Sequence, residues 1–178
     1  MNMMQQKRPQ GGRPSRGRFE EQKEFDQRIL ELARVTRVTK GGKRMRFRAT
    51  VIIGDRKGRV GYGTAKGADV QQSVAKGATQ AKKRLITVAL QNETIPHAVL
   101  QKFAAAEVLL KPAPKGTGVK AGGAVRVVLE LAGVPNAVGK ILGSKNKINN
   151  TKATFFALGQ LRLRKKKAAA PAPQENAA

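Results

Sequence analysis

The sequence contains no cysteine and no tryptophan, and aromatic residues make up only 4% of it. Without cysteine there is no disulfide, no thiolate nucleophile and no zinc site with sulfur ligands, and a reducing compartment is compatible with the composition. So few aromatic side chains argue against a protein that recognises its ligand mainly by stacking on single-stranded bases.

Acidic residues are also scarce. The 178 residues include 36 Lys and Arg but only 11 Asp and Glu, which gives a formal net charge of +25 and a pI near 11.5. Self-repulsion of this size disfavours a compact chain unless an anionic partner relieves it. Nucleic acid is therefore the leading candidate partner, and an anionic membrane surface is the second.

Long apolar runs and clusters of catalytic or metal-binding residues are missing as well. No apolar run approaches the roughly 20 residues that a membrane-spanning helix needs. Nucleic acid therefore stays preferred over a membrane surface, and we expect no membrane partner. No paired carboxylates and no metal-ligand spacing are visible, so the sequence predicts no catalytic residue, no metal and no cofactor. We therefore expect a binding protein and not an enzyme.

The most informative stretch of the chain is 34–60, RVTRVTKGGKRMRFRATVIIGDRKGRV. It predicts two antiparallel strands joined by the basic turn 40–44, and a second turn at 55–58. Alternation along the second strand places Met45, Phe47, Ala49, Val51 and Ile53 on one face and Arg44, Arg46, Arg48 and Thr50 on the other. One face is suited to a core, and the other begins as a row of guanidinium groups.

The arginine row has two interpretations. Charges on an isolated strand are more often a solvated surface that keeps an exposed sheet soluble. Here the row continues into a basic turn and contains no carboxylate, which favours a polyanion-binding surface. The residues predicted to bind RNA are Lys40, Gly41, Gly42, Lys43, Arg44, Arg46, Arg48, Arg56, Lys57, Arg59, Lys66 and Lys120.

The chain divides into four parts by composition and periodicity. Residues 1–19 form a basic arm rich in Gly, Pro, Gln and Arg, for which we expect disorder rather than a transit peptide. Residues 20–91 form a first domain, with a helix over Glu20–Leu32, three strands, and a helix at Asp69, where Gln72 completes a capping box. Residues 92–164 form a second domain, and residues 165–178 a basic, Ala- and Pro-rich tail.

Two strands, a helix, a short strand and a last helix are predicted in the second domain. The first two strands are HAVLQKF and AEVLLKPA. The apolar stripe of the helix that follows consists of Val125, Val128, Leu129 and Ala132. The last helix centres on Ala153, Phe156 and Ala157. Both domains combine helices with a sheet, so the fold class is α+β.

A glycine-rich segment from Gly116 to Ala121 fits the G-x-G-x-x-A pattern of dinucleotide-binding loops. No acidic residue follows at the distance that would hold a ribose hydroxyl, and a P-loop fails because Ala124 stands where lysine is needed after Gly123. Two interpretations remain: backbone amides near lysines such as Lys120 that bind an RNA phosphate, and glycines needed only for turn geometry.

Several runs of the sequence resemble a known family. The order helix, three strands, helix, with a basic turn between the first two strands, resembles the double-stranded-RNA-binding module. The runs VTKGGKRMRF, VIIGDRKGRVGYG and AKKRLITV closely resemble the first domain of bacterial-type small-subunit ribosomal protein five. The runs LLKPAPKGTGV and AGGAVRVVLELAG match the second domain of that family. The resemblance covers about Phe25 to Leu161, and Arg46 and Arg48 depart from it by replacing the usual small polar residues.

The resemblance implies a fold and a function. The fold is an α-β-β-β-α domain, similar to double-stranded-RNA-binding domains, followed by a two-layer β-β-α-β-α domain, with basic disordered tails. The function is a structural constituent of the small ribosomal subunit that binds its rRNA at the head/body junction and supports translational accuracy. The implied partners are small-subunit proteins four and eight and mRNA near the entry channel, with Gly118 and Arg126 at the contact with protein four. The expected location is the ribosome, cytoplasmic or organellar, and no homo-oligomer is expected.

Three functions of other classes stay open. A free-standing duplex-RNA-binding protein or RNA chaperone would bind many RNAs equally, and a DNA-compacting protein would show no preference for A-form duplexes. An enzyme would bind a nucleotide at Gly116 to Gly123. None of these alternatives accounts for the match to the second domain.

Overall fold

The computed structural model describes residues 24–163. Within that range the strands are β1 (Asp26–Thr39), β2 (Gly42–Gly54), β3 (Arg59–Gly67), β4 (Leu85–Thr87), β5 (Val99–Phe103), β6 (Ala106–Pro112), β7 (Val119–Lys120) and β8 (Ala137–Ile141). The helices are α1 (Val70–Lys82), α2 (Gly123–Ala132) and α3 (Lys147–Gly159). The predictions for 1–19 and 165–178 lie outside the described residues.

The first strand replaces a predicted helix. The helix expected over Glu20–Leu32 is wrong from Asp26 onward, because β1 begins there and pairs with β2. The pairing shifts register beside Leu30, which is an extra residue in β1. This bulge places Ile29 and Leu32 on the same face of the sheet although they are three positions apart. A bulged strand therefore has the three-residue apolar spacing that is otherwise typical of a helix.

The first sheet has the order β1-β2-β3-β4 and is antiparallel throughout. Helix α1 covers one face, where Ala49, Val51 and Ile53 of β2 form a buried cluster, as the alternation of β2 predicts. Helix α1 approaches β3 closely because Gly63 has no side chain; a Cβ there would lie 2.1 Å from Gly77 O. The close approach excludes water from this smaller core.

The start of α1 is capped differently from the prediction. Asp69 is the N-cap residue, as expected, but its side chain makes no capping hydrogen bond. Its backbone carbonyl accepts from Ser73 N at 3.0 Å. Gln72 Oε1 accepts from Ala68 N at 3.1 Å, one residue before the cap. Gln72 therefore fixes the entry into the helix without completing a capping box.

The second sheet has the order β5-β6-β8-β7, in which only β7 and β8 are parallel. Helices α2 and α3 pack on one face of it. The predicted stripe of α2 is buried and consists of Val125, Val128, Leu129 and Ala132. In α3 the buried aromatic residue is Phe155, whereas the predicted Phe156 is 50% exposed.

The two sheets share one core. Ile52 of β2 and Val60 of β3 belong to the same buried cluster as Val108 of β6, Leu129 of α2 and Leu158 of α3. The layers are therefore α1, the first sheet, α2 with α3, and the second sheet, whose outer face is covered by no described helix. The predicted α+β fold with two domains is confirmed.

The turn at 55–58 docks on the end of α2. Arg56 N donates to Leu131 O at 3.0 Å, and Gly58 N donates to Ala132 O at 2.9 Å. These carbonyls belong to the last turn, where a helix leaves its acceptors without internal partners. The helix ends at Gly133, whose φ of +79° lies in the left-handed region, and a Cβ at Gly133 would lie 2.1 Å from Arg56 O.

Candidate nucleic-acid interface

The β1–β2 hairpin closes through a two-residue turn, Lys40 and Gly41. Thr39 pairs with Gly42, and Thr39 Oγ1 donates to Gly42 O at 3.1 Å. Gly42 has a φ of +136°, a conformation that side chains rarely allow. Lys40 and Gly41 are exposed, so the turn residues predicted to bind RNA are accessible at the tip of the hairpin.

The hairpin register gathers basic side chains on the sheet face opposite α1. Arg44 pairs with Arg37 of β1, and Arg48 pairs with Lys66 of β3. Arg46 lies between Arg44 and Arg48, and residues that pair across strands project to the same face. We call these five residues, Arg37, Arg44, Arg46, Arg48 and Lys66, the basic strip. Arg37 was not predicted, although a two-residue turn at 40–41 already places it opposite Arg44.

The basic strip runs into the shared core at one end. Thr50 follows Arg48 on the same face, and its Oγ1 lies 3.5 Å from Thr64 Oγ1 of the neighbouring strand. Ile52 comes next on this face and is fully buried. The strip therefore extends from a packed base to an exposed tip, and its arginines are carried on paired strands rather than on a loop.

Arg48 is the most buried member of the basic strip. Its Nη2 lies 4.0 Å from Glu31 Oε2 of β1, so a carboxylate does lie beside the arginine row, contrary to the sequence analysis. Arg48 Nε is buried without a hydrogen-bond partner among the described residues, which is costly in a folded protein. The other four members form no ion pair with any described carboxylate.

Lys43 lies on the opposite face of the hairpin. It pairs with Val38, and Met45 lies on that face as well. Val38 is 70% exposed and Met45 52%, because α1 packs farther along β2, over Ala49 to Ile53. The hairpin is therefore two-sided, with the basic strip on one face and apolar side chains beside Lys43 on the other.

The second predicted turn is held by ion pairs within the protein. Arg59 Nε donates to Asp55 Oδ2 at 2.6 Å, and Arg56 Nε lies 2.9 Å from Asp26 Oδ2. Lys57 is exposed and forms no ion pair with a described residue. RNA binding by Arg56, Lys57 and Arg59 stays a prediction, and the two arginines already stabilise the turn.

Asp55 organises this turn through its carboxylate. Its side chain is only 6% exposed, and Oδ1 accepts from Lys57 N at 2.7 Å and from Arg59 N at 3.0 Å. Burial acts to raise the pKa of Asp55, but hydrogen bonds from the Arg59 side chain and from the two backbone N–H groups outweigh it. The pKa of Asp55 therefore lies below the usual value for aspartate. The same ion pair raises the pKa of Arg59.

A second basic surface lies on the outer face of the second sheet. Each strand carries one lysine there: Lys102 on β5, Lys111 on β6, Lys140 on β8 and Lys120 on β7. The register confirms the common face, because Lys111 and Lys120 both pair with Val138, and Lys140 pairs with Leu109. Glu107 pairs with Lys102 on the same face. Lys111 and Lys120 lie near the glycine-rich segment considered as a phosphate site in the sequence, and only Lys120 was among the predicted RNA-binding residues. Lys102 and Lys140 were not predicted, although alternation along each strand would have identified them.

The predicted protein-contact residues lie near the start of α2. Gly118 has a φ of +72°, and its N–H donates to Asn136 Oδ1 at 3.1 Å. Asn136 is buried, and its Nδ2 donates to Glu93 O at 3.3 Å. This side chain therefore fixes the loop that presents Gly118. Arg126 lies in the first turn of α2 and is exposed.

The glycine-rich segment 116–121 does not have the geometry of a dinucleotide-binding loop. It contains β7, and α2 begins only at Gly123, so the motif does not lead from a strand directly into a helix. In the described range, 24–163, no group of His, Asp or Glu side chains is arranged to hold a metal ion. No helix in that part of the chain is long and apolar enough to cross a membrane.

Two mostly antiparallel sheets around a layer of helices define a small α+β protein, and the basic strip on its exposed hairpin is a surface suited to RNA phosphates. Comparison with protein-family models identifies the family. Residues 25–89 match the N-terminal domain of ribosomal protein S5, and residues 101–170 match its C-terminal domain. The chain belongs to the ribosomal protein S5 family, which confirms the resemblance seen in the sequence. Proteins of this family are structural, rRNA-binding components of the small ribosomal subunit and not enzymes.

A curated relative supports the same assignment. Small ribosomal subunit protein uS5c of spinach, Spinacia oleracea, is 50% identical to this chain over 139 residues. The alignment covers 78% of this chain and 45% of the spinach protein. The matched region therefore spans less than half the length of that relative.

Proposed function

We propose that this chain is an architectural protein of the small ribosomal subunit and that the basic strip is its main contact with rRNA. The observation that carries the proposal is the strip itself: five cations on one sheet face, of which only Arg48 lies beside a carboxylate of residues 24–163. Duplex RNA is bound mainly through phosphates, 2′-hydroxyls and A-form shape. A row of guanidinium groups on paired strands suits that chemistry, because it neutralises phosphates from a fixed position.

The lysine face of the second sheet supports an extension of this proposal. Lys102, Lys111, Lys120 and Lys140 form no ion pair with any described carboxylate. They lie beyond the helix layer, on a different sheet from the basic strip. Contacts at both surfaces would hold two RNA segments in a fixed arrangement, which is the physical content of an architectural role.

The finer parts of the proposal follow the family resemblance. They are binding at the head/body junction, support of translational accuracy, contacts with small-subunit proteins four and eight, and proximity to mRNA at the entry channel. For the contact with protein four, the surroundings of Gly118 and Arg126 are favourable. Apart from its two chain neighbours, no residue of the described part of the chain would come within 4 Å of a Cβ at Gly118, and Arg126 is exposed. A partner can therefore approach both residues.

The proposed function is tested by removing charge from the basic strip. In the variant R37A/R44A/R46A, each lost phosphate contact reduces the dependence of log Kd on log salt by roughly 0.7 to 0.9. We expect the slope to fall by about two to three units. The measurement is fluorescence anisotropy with a perfectly paired RNA duplex of about 16 base pairs at several salt concentrations.

A matched control removes the same charge elsewhere. The variant K82A/K145A/K147A loses three exposed lysines that lie on neither basic surface. The slope of log Kd against log salt for this variant should stay within about one unit of the wild-type slope. In gradient sedimentation of cell lysate at high salt, the wild type and the control should remain with small subunits and the strip variant should not. Equal slopes for both variants would contradict the proposal. Wild-type protein that spreads over all RNA would instead indicate a free-standing RNA chaperone.

A further inference from the structure

The few aromatic residues of this chain are concentrated at one place. The sequence has one Tyr, six Phe and no Trp, and four of these residues meet where the two domains join: Tyr62, Phe103, Phe155 and Phe156. The ring centroids of Tyr62 and Phe155 are 4.6 Å apart, and those of Phe103 and Phe156 are 5.5 Å apart and stacked at 26°. A chain so poor in aromatic residues has thus gathered most of them beside one surface.

Three of these four side chains line an open groove between the domains, and the fourth, Phe103, stacks on Phe156. The groove has a volume of about 450 Å³ and is lined by Tyr62 and Ile86 of the first domain and by Phe155 and Phe156 of α3. Phe156 is 50% exposed, whereas its neighbour Phe155 is buried. The groove therefore offers an aromatic surface that the fold itself does not cover.

Two cations stand beside the groove. Arg84 and Lys152 both line it. The Arg84 guanidinium lies 5.8 Å from the centre of the Tyr62 ring, and Lys152 Nζ lies 5.1 Å from the centre of the Phe103 ring. Neither cation forms an ion pair with a carboxylate among residues 24–163. A ligand with a planar apolar part and a negative charge would match both features.

We propose that this groove binds one unpaired nucleotide of RNA, with the base stacked on Phe156 and the phosphate between Arg84 and Lys152. A base presents its flat face to an aromatic ring and keeps its polar edge toward water, so it enters an apolar groove without losing hydrogen bonds. An inserted peptide would bury backbone N–H and C=O groups, for which the groove offers few partners. This inference rests on the proposed function, because it specifies how RNA is bound at a second position.

Fluorescence of Tyr62 can report binding in the groove. Because Tyr62 is the only tyrosine and there is no tryptophan, the intrinsic ultraviolet emission of the protein comes from the groove. The probes are a perfectly paired RNA duplex and the same duplex with one bulged adenosine. We expect the wild type to bind the bulged duplex roughly ten-fold more tightly, and only the bulged duplex should quench Tyr62 emission by stacking in the groove.

Two variants and two matched controls locate the effect. Phe156→Ala and Arg84→Ala should each reduce the preference for the bulged duplex to about two-fold or less while leaving the affinity for the paired duplex within about three-fold. Leu100→Ala removes an equally exposed apolar side chain from the other side of the second sheet, and Lys83→Ala removes the cation adjacent in sequence. Both controls should keep the full preference and the quenching of Tyr62.

Three results would overturn the inference. They are equal affinity of the wild type for both duplexes, a preference that survives in Phe156→Ala and Arg84→Ala, and quenching of Tyr62 by an acidic peptide that competes with the bulged duplex. The last would show that the groove takes a protein segment. Failure of the proposed function is measured separately, since it would appear as unchanged binding of the paired duplex by R37A/R44A/R46A.

Discussion

At the scale of single residues, Asp55 shows how one carboxylate can join two domains. Its hydrogen bonds shape the turn at 55–58, and that turn donates two backbone hydrogen bonds to the end of α2. The spacing Asp-x-x-Gly predicts the turn, because both residues favour it locally. Docking on Leu131 and Ala132 was not predictable, because it depends on a contact between residues far apart in the sequence.

The pKa of Asp55 leads to a prediction about acid stability. Because the folded state lowers this pKa, the stabilisation is complete above the pKa of the unfolded chain and is lost as the pH falls through the lower folded value. We expect Asp55→Asn to lower the free energy of unfolding by about 1–2 kcal/mol near neutral pH. The difference from wild type should shrink below about pH 4. Urea unfolding followed by circular dichroism at several pH values measures it.

A carboxylate of β1 that contacts the same turn provides the control. Asp26 is 54% exposed and pairs with Arg56, so Asp26→Asn should change the free energy of unfolding by less than about 1 kcal/mol near neutral pH. A difference between wild type and Asp55→Asn that stayed constant down to about pH 2 would show that Asp55 does not titrate as the geometry requires.

At the scale of elements, the strands and helices with regular apolar spacing were predictable and the irregular one was not. The stripe of α2 has a simple period, and its prediction is confirmed. The alternation in β2 places Ala49, Val51 and Ile53 in the core as predicted, but Met45 on the same face is 52% exposed, because the buried cluster begins only at Ala49. The start of β1 was wrong because a bulge at Leu30 breaks the two-residue period. The opposition of Arg37 and Arg44 follows from turn length, whereas the ion pair of Arg48 with Glu31 depends on side-chain conformation that sequence patterns do not define.

The end of α2 gives a prediction with a control in the same helix. Gly133→Ala should lower the free energy of unfolding by more than about 2 kcal/mol, because φ at Gly133 is +79° and a Cβ there meets the backbone of Arg56. Gly123→Ala should leave it unchanged or raise it by up to about 1 kcal/mol, since a Cβ there meets no atom within 4 Å. Urea unfolding of both variants checks the pair, and equal stability would refute the docked turn.

At the scale of the whole molecule, two domains defined by separate patterns share one core. The sequence predicts the two domains, and their limits at 20–91 and 92–164 stay a prediction. The sequence does contain one signal of the shared core: on the face of β2 opposite α1, the arginine row is followed by Thr50 and then by Ile52, so this face becomes apolar there. The sequence does not show which element covers Ile52, because its neighbours in the core, such as Leu129 of α2, are far away in the sequence.

A shared core predicts a single unfolding transition. Tyr62 emission reports the joint between the domains, and far-ultraviolet circular dichroism reports both sheets and all helices, so the two urea curves should coincide. Leu129 lies in the middle of the shared core. Leu129→Ala should lower the free energy of unfolding by about 2–5 kcal/mol, and it should move both urea curves to lower urea concentration together. Two separated transitions, or a shift seen by only one of the two signals, would show that the domains unfold independently.

The edge position of β1 has a consequence for the free protein in solution. Among the described strands, β1 has a partner on one side only, and Ile29, Leu32 and Val38 are exposed along it. Such an edge invites pairing with a second copy, and repulsion between highly positive copies opposes that pairing. Salt screens the repulsion, so the ionic strength that detaches the protein from RNA should also promote its aggregation. The arginines of the hairpin thus have a second effect: before the protein binds RNA, their repulsion opposes aggregation through the edge of β1.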